Sequence, residues 1–545
     1  MRSDLRPFLV LSGLAAVAVW LTRPLLLPDE LRYLTVAWEM WDRGSFLVPL
    51  LNGEPYSHKP PFLFWGFHAG WAVFGVNAWW PRLFCLLGGV AFVTATARLA
   101  RRLAPDLPTA GTTCFLLLGG TLAVQVYASM LLFDLWLAAF VVLGWHTLLD
   151  AAEPGRALRG WAAFGVAAGL AMLVKGPAAL VTLLPPAVLA AWWRRGRLPR
   201  SWWPGLAAGT ALGAAIVLSW ALPAARAGGP EYADAILWGQ TAGRVTQSFA
   251  HSRPLWWYLP LLPVMTFPWV VWPAVWRGRP ILPHPDATRA LTRFGLAGFV
   301  LPLLVFSLVD GKQPHYLVPA LAGLALAAAP RLLPPTTGRR RWFALAFVPA
   351  AVLFAFLPRI LEAEGLRPDP ELAPYRLHLV AAAVALGLSL SALLGERSGR
   401  RTVHPAAAAR FVPTLFLLAA VGAVPLLAWR YDLTEPAEAF ARAERLGRDR
   451  AVVGIEYHGE FGFLARLREP VASPQTPAAI RAWLRAHPEA LVGVVHKPDD
   501  PNSPGPGPEG DHPFGTKTLS LWPAKELAAT GYPAAAREDA TGVSR

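Results

Sequence analysis

Apolar runs of about 20 residues recur along the chain, closed by arginines or by Pro-Gly punctuation, and a helix needs that length to cross roughly 30 Å of hydrocarbon. Marking them off predicts about thirteen transmembrane helices, at 7–27, 82–103, 109–127, 130–150, 160–174, 177–193, 204–225, 255–276, 293–309, 315–333, 342–358, 376–395 and 410–429. A closed barrel would show short alternating segments instead. The run from Pro61 to Val76 is left out of the spans. Counting it would move Arg101-Arg102 and every later arginine cluster to the exported side, against the positive-inside rule. Without it, Arg101-Arg102, Arg156 with Arg159, Arg194-Arg195 with Arg197, Arg277 with Arg279, Arg339 to Arg341 and Arg400-Arg401 all fall in the cytoplasm.

The exported side then receives the loops 28–81, 226–254, 310–314 and 359–375 and the tail from Arg430. In the first loop Leu31, Leu34, Trp38 and Trp41 recur at helical spacing among Arg32, Glu39 and Asp42, which predicts an amphipathic helix lying in the membrane interface, joined there by Pro61 to Val76. The tail changes pattern. Short apolar runs at Ala451 to Ile455 and Leu491 to Val495 predict strands, Ala478 to Ala486 predicts a helix, and the Pro, Gly and Asp-rich stretch Asp499 to Asp511 reads as linker or disorder. The fold class is therefore an all-α polytopic membrane protein with a small C-terminal α/β extracytoplasmic domain. Its expected domains are 1–430, including the first exported loop 28–81, and 431–545.

Composition agrees: 54% of residues are hydrophobic, 16% charged and 25 are Trp, with a mean hydropathy of +0.39. The net charge of +15 does not call for nucleic acid, because the arginines sit in short loops where they report topology. Cys85 and Cys114 both lie in apolar runs, so neither a disulfide framework nor a cysteine metal site is indicated. The N-terminal stretch, Arg2 and Arg6 ahead of an apolar core, is read as an uncleaved first span because apolar character continues to Leu27.

The polar residues that can carry chemistry collect on the exported side. Asp29 and Glu30 open the first loop. Either carboxylate can accept a proton from an attacking hydroxyl, or Asp29 caps the following helix and Glu30 complements its dipole. Lys59, in Tyr56-Ser57-His58-Lys59-Pro60-Pro61, either holds a lipid phosphate or snorkels toward headgroups. Arg244 in Gly243-Arg244-Val245 and Lys312 in Asp310-Gly311-Lys312-Gln313-Pro314-His315-Tyr316 are basic groups where exported loops are normally poor in them; a phosphate or a plain salt bridge accounts for each. Asp134 and Lys175 stand at exported ends of spans, either as a structural pair or with Asp134 facing a cavity shared with Asp29. His58, His251 and His315 are exported, but none has a helical His-x-x-x-His spacing, which leaves a divalent metal with little support.

In order along the chain, Pro28-Asp29-Glu30-Leu31-Arg32-Tyr33, Asn52-Gly53-Glu54-Pro55-Tyr56-Ser57-His58-Lys59-Pro60-Pro61, Val174-Lys175-Gly176 and Phe306 to Pro319 resemble one family. The chain is similar to the bacterial aminoarabinose lipid A transferases and the wider protein mannosyltransferase superfamily of GT-C glycosyltransferases, over roughly residues 7–335 and elsewhere only in layout. The resemblance implies inverting transfer from a polyprenyl-phosphate sugar to an acceptor lipid, glycan or protein at the exported face of the plasma membrane. It implies that Asp29 is the catalytic carboxylate, that Lys59, Arg244 and Tyr316 attend the donor phosphate, and that Asp134 and Lys175 lie near the cavity, with Arg32 and His58 close by. Relatives commonly carry an acidic residue where this chain has His58, so a metal bound through that carboxylate is in doubt, although His58 is itself a possible ligand. A lipid-linked sugar transporter or flippase is the alternative; it would place its site near the midplane, often on broken helices.

Overall fold

The computed structural model describes residues 2–194, 196–243, 253–277, 284–333, 338–363, 376–397, 402–403 and 405–533. The chain forms two compact units: Met1–Thr22, Ser57–Leu357 and Tyr375–Val424 make the first, and Arg23–Tyr56, Pro358–Pro374 and Pro425–Arg545 the second.

The first unit is a helical bundle. Nine described helices in the whole chain are long and apolar enough to cross a membrane, or ten if Ala110–Gly119 and Leu122–Ala128, bent by 66°, make one crossing. The protein is thus a multi-pass membrane protein with fewer long helices than the thirteen expected spans. The shortfall has a local cause. The expected spans 255–276 and 315–333 are realised as the shorter helices Leu255–Met265 and Leu321–Arg331 with irregular flanks. Pro263, Pro268 and Pro273 remove backbone donors from the first of these, and hydropathy does not register that loss. The segment Phe62–Phe74 is a helix of 13 residues, about 20 Å long and short of a full crossing.

One apolar stretch, Ala157–Val188, runs for 32 residues, too many for a single passage at 1.5 Å per residue. The chain reverses within it at Gly176, whose φ of +70° suits a residue without a Cβ. Beyond this turn Leu183 accepts a hydrogen bond from Trp145 Nε1 at 3.1 Å, and Arg194 donates to the Ala152 carbonyl at 3.0 Å. The returning segment therefore ends level with the start of the helix that preceded it.

Small residues set the closest helix packing. Gly165 and Gly169 on Ala157–Lys175 face Gly209 and Gly213 on Trp202–Gly228; a Cβ on Gly165 would meet the Gly209 carbonyl at 2.7 Å. Such glycine stripes let backbones approach where lipid offers no hydrophobic drive for association.

The second unit joins the first exported segment to the C-terminal chain. Helix Asp29–Asp42 buries Leu31, Leu34, Val36, Met40 and, on its other sides, Tyr33, Thr35 and Glu39. Its partner is protein: Trp38 Nε1 donates to the Leu467 carbonyl at 2.9 Å, and Thr35 Oγ1 to the Gly459 carbonyl at 2.6 Å. Helical spacing reports one apolar face and is silent on what covers it; here protein covers it. Residues 23–56 group with the C-terminal chain in this unit.

The C-terminal part is a four-stranded sheet in the order Arg450–Val453, Leu491–His496, Lys517–Pro523, Asp511–Phe514; the first pair is parallel and the others antiparallel. Helix Pro477–Ala486 makes the crossover that a parallel pair requires and packs Ile480 and Leu484 on Val453, Val492 and Val494. The stretch expected as linker is docked instead: Glu509 N donates to the Leu521 carbonyl at 3.1 Å and Leu521 N to the Gly510 carbonyl at 2.8 Å. Its Pro and Gly serve turns against a strand.

Candidate active site

In the bundle, charged groups separate to two ends. At one end Arg102 pairs with Asp150 at 2.7 Å, Arg156 with Glu153 at 2.9 Å, and Arg293 donates to the Trp192 carbonyl at 3.0 Å. Helix Asp134–Ala151 runs from there to the other end, 18 residues away, or about 27 Å.

At that other end Asp134 occupies the first turn of its helix and Lys175 the last turn of Ala157–Lys175. Each charge complements the dipole of its own helix, and the two helices bring them together head to tail. Lys175 Nζ donates to Asp134 Oδ1 at 2.5 Å, with the aspartate side chain 4% exposed. Lys59 and His315 also act electrostatically on this carboxylate. Aromatic rings complete the surroundings: Lys175 Nζ lies 5.2 Å from the Tyr316 ring centroid and Lys59 Nζ 5.9 Å from that of Phe133. Tyr316 packs edge-on against His315 at 4.8 Å, and the Tyr258 hydroxyl donates to the Gln313 carbonyl at 3.1 Å. Tyr127 lies within electrostatic reach of both Asp134 and Tyr258. Five residues singled out in the sequence, Lys59, Asp134, Lys175, His315 and Tyr316, thus converge. Tyr127 and Tyr258 join them with no sequence signal, being isolated aromatics of the kind every membrane interface carries.

Other expected residues stand differently. Lys312 is buried, and its ammonium donates to the Arg253 carbonyl at 2.9 Å and the Val309 carbonyl at 2.6 Å, so it fastens the loop that carries His315 and Tyr316. His58 is exposed, and Arg244 and His251 lie outside the described residues. Among the described residues no three His, Cys, Asp or Glu side chains gather as a metal would require.

In the second unit Glu30 is taken up structurally. It accepts Arg23 Nη1 and Nη2 at 2.8 and 2.9 Å and Leu26 N at 2.8 Å, with its side chain 3% exposed. Asp29, by contrast, is 50% exposed and 3.9 Å from Arg32. The turn Glu456 to Glu460 faces this helix end: His458 is held below the usual histidine range by burial first and then by Arg32, with Glu456 and Asp29 opposing. Burial raises the Glu460 carboxyl, with Arg32 pulling it down.

The chain superimposes on ArnT from Cupriavidus metallidurans, solved bound to undecaprenyl phosphate, with a TM-score of 0.71 at 19% identity, covering 95% of this chain and 97% of that one. The chain has the ArnT fold. Residues 58–220 match the family model described as dolichyl-phosphate-mannose-protein mannosyltransferase. An undecaprenyl phosphate-alpha-4-amino-4-deoxy-L-arabinose arabinosyl transferase from Pseudomonas fluorescens Pf0-1 is 32% identical over 315 residues, 55% of this chain and 52% of the relative. The like-named protein of Pseudomonas aeruginosa PAO1 is 34% identical over 308 residues, 55% of this chain and 54% of the relative. The match thus spans about half the length of these curated relatives. The resemblance read from the ordered motifs is borne out.

Proposed function

We propose that this protein is an inverting glycosyltransferase that moves a sugar of the 4-amino-4-deoxy-arabinose class from undecaprenyl phosphate to a lipid A acceptor at the exported membrane face. The observation that carries the reading is the convergence of Lys59, Lys175 and His315 on the single carboxylate of Asp134, two lysines against one aspartate, at the bundle end remote from Arg102, Arg156 and Arg293. The arginine end is the cytoplasmic one by the positive-inside rule, which assigns the cluster to the outside.

The chemistry suits that charge balance. The acceptor oxygen forms a bond to the anomeric carbon as the bond from that carbon to the donor phosphate oxygen breaks. The phosphodiester leaves as a phosphomonoester with one more negative charge, which fixed cations stabilise most in a water-poor setting. Lys59 and Tyr316 are assigned to the leaving phosphate, and Lys175 holds Asp134 in place; the acceptor proton is assigned to Asp29 from the match of its motif to the family's carboxylate, and not from its placement. Apolar grooves between helices suit the prenyl chain, so that both lipids meet as positioned reactants.

A flippase is favoured by one feature: the bent pair Ala110–Gly119 and Leu122–Ala128 borders a cavity of about 200 Å³ lined by Leu117, Thr121, Thr266, Trp269, Leu324 and Arg331. Reconstitution into liposomes with undecaprenyl-phosphate aminoarabinose and lipid A separates the readings. Sugar transfer that is lost in Asp29→Ala and weakened in Lys59→Ala supports the transferase, whereas donor crossing the bilayer without transfer refutes it.

A further inference from the structure

We infer that the C-terminal domain positions the helix that carries Asp29, through a clasp centred on Thr35; the inference rests on the transferase reading above. Thr35 is 1% exposed. Its hydroxyl is used in both directions, donating to the Gly459 carbonyl at 2.6 Å and accepting from Phe463 N at 2.9 Å. The domain is shaped around this side chain: a Cβ on Gly462 would come within 2.4 Å of Thr35 Cγ2, and one on Gly459, at φ +87°, within 3.0 Å. These glycines leave room for a branched residue at position 35 and place one donor and one acceptor on its hydroxyl.

Two further attachments fix the rest of the exported segment. Trp38 Nε1 donates to the Leu467 carbonyl at 2.9 Å, three residues along the helix, while Arg466 lies 5.3 Å over the Trp38 ring. Asn52 pairs reciprocally with the Val471 backbone, donating to its carbonyl at 2.9 Å and accepting from its N–H at 2.8 Å. Glu39 ties Asn52 back to the helix, accepting from Asn52 N at 2.6 Å and Gly53 N at 2.9 Å. A strap from residue 457 to 471 thus grips helix Asp29–Asp42 at its middle and its following hairpin.

The helix is a rigid lever. Thr35 lies six residues from Asp29, about 9 Å along the axis, and the same strap brings His458 into the electrostatic reach of Asp29 and Arg32, and Glu460 into that of Arg32. Seating of Thr35 therefore sets both where Asp29 points and which charges surround it. Thr35 is a positioning residue, and the domain is a working part of the transferase.

The test uses the full-length protein in liposomes with undecaprenyl-phosphate aminoarabinose as donor. Thr35→Val keeps the shape and removes the hydroxyl. A displacement of about 1 Å at a reacting group costs up to on the order of 100-fold, and the expected loss in kcat is at least on the order of tenfold, with the donor KM within about twofold of wild type. Thr35→Ser, which restores the hydroxyl, returns kcat to near the wild-type value. Trp38→Phe, which keeps a ring and loses the N–H, lowers kcat in the same sense and serves where Thr35→Val fails to fold. Wild-type kcat in folded Thr35→Val or Trp38→Phe, no rescue by serine, or a donor KM that rises as kcat falls overturns the inference. Asp29→Ala is assayed alongside. Wild-type turnover there removes the transferase assignment of Asp29, whereas inactive Asp29→Ala beside fully active clasp variants removes the clasp alone.

Discussion

Replacing Glu30 decides whether the second carboxylate of the first exported segment reacts or supports. Arg23 and Glu30 have side-chain exposures of 10% and 3%, and the carboxylate accepts two guanidinium hydrogen bonds at 2.8 and 2.9 Å and a third from Leu26 N at 2.8 Å. Removing one partner of a buried pair costs about 3–5 kcal/mol, because the other charge stays buried without compensation. At roughly 2–4 °C per kcal/mol for a unit of this size, Glu30→Ala lowers the unfolding temperature by at least about 6 °C. Intrinsic tryptophan fluorescence on detergent-purified protein reads the transition. The double variant Arg23→Leu/Glu30→Leu recovers most of the loss, since apolar replacement of both buried partners is often neutral. An unchanged unfolding temperature in Glu30→Ala together with abolished transfer would refute this reasoning and return Glu30 to the reaction.

Other outcomes follow from the same geometry. Lys59→Ala weakens binding of undecaprenyl phosphate by about 10- to 100-fold, the range for one charge-assisted hydrogen bond, and titration of the lipid into nanodiscs checks it; unchanged affinity removes Lys59 from the phosphate. His458 sits below its ordinary value, so its contribution to stability is fully present above the unfolded histidine value and is lost as pH falls through the folded one. His458→Gln therefore narrows the drop in unfolding temperature between pH 7.5 and 5.5, and an equal drop in both proteins counts against the assignment. Gly323→Val forces apart the helices Pro285–Leu308 and Leu321–Ala328, where a Cβ on Gly323 would meet the Gly295 carbonyl at 2.6 Å, at a cost of about 1–3 kcal/mol. Buried Cys114, which donates to the Ala325 carbonyl at 3.7 Å, then reacts faster with a thiol reagent; an unaltered rate contradicts the close packing.

Much of the molecule is legible in its sequence because the bilayer imposes long-range rules on local composition. Apolar length marks the crossings, and Gly176 after Lys175 marks a reversal that splits a 32-residue run. Proline-rich segments are where this reading fails: 255–276 has the apolar content of a span but lacks the backbone donors for an unbroken helix. In the site, charges at helix ends could be found from sequence, since Asp134 and Lys175 are costly anywhere else. Tyr127 and Tyr258 could not, because nothing in an isolated aromatic says which cavity it joins.

By itself, then, the sequence determined that the chain crosses a membrane many times and which charged residues stand at the ends of its helices. Tertiary structure alone decided what those groups touch. Glu30 and Asp29 are neighbours of like chemistry, yet one is enclosed by Arg23 and the other stays half exposed. Lys312, a basic group in an exported loop by sequence, ties two carbonyls. The amphipathic helix read as a float on the membrane is held by a domain more than 400 residues later, through bonds such as that of Thr35 to Gly459, 424 positions away. Periodicity records that a face needs covering. Only the folded chain, by placing one particular surface against that face, supplies the cover.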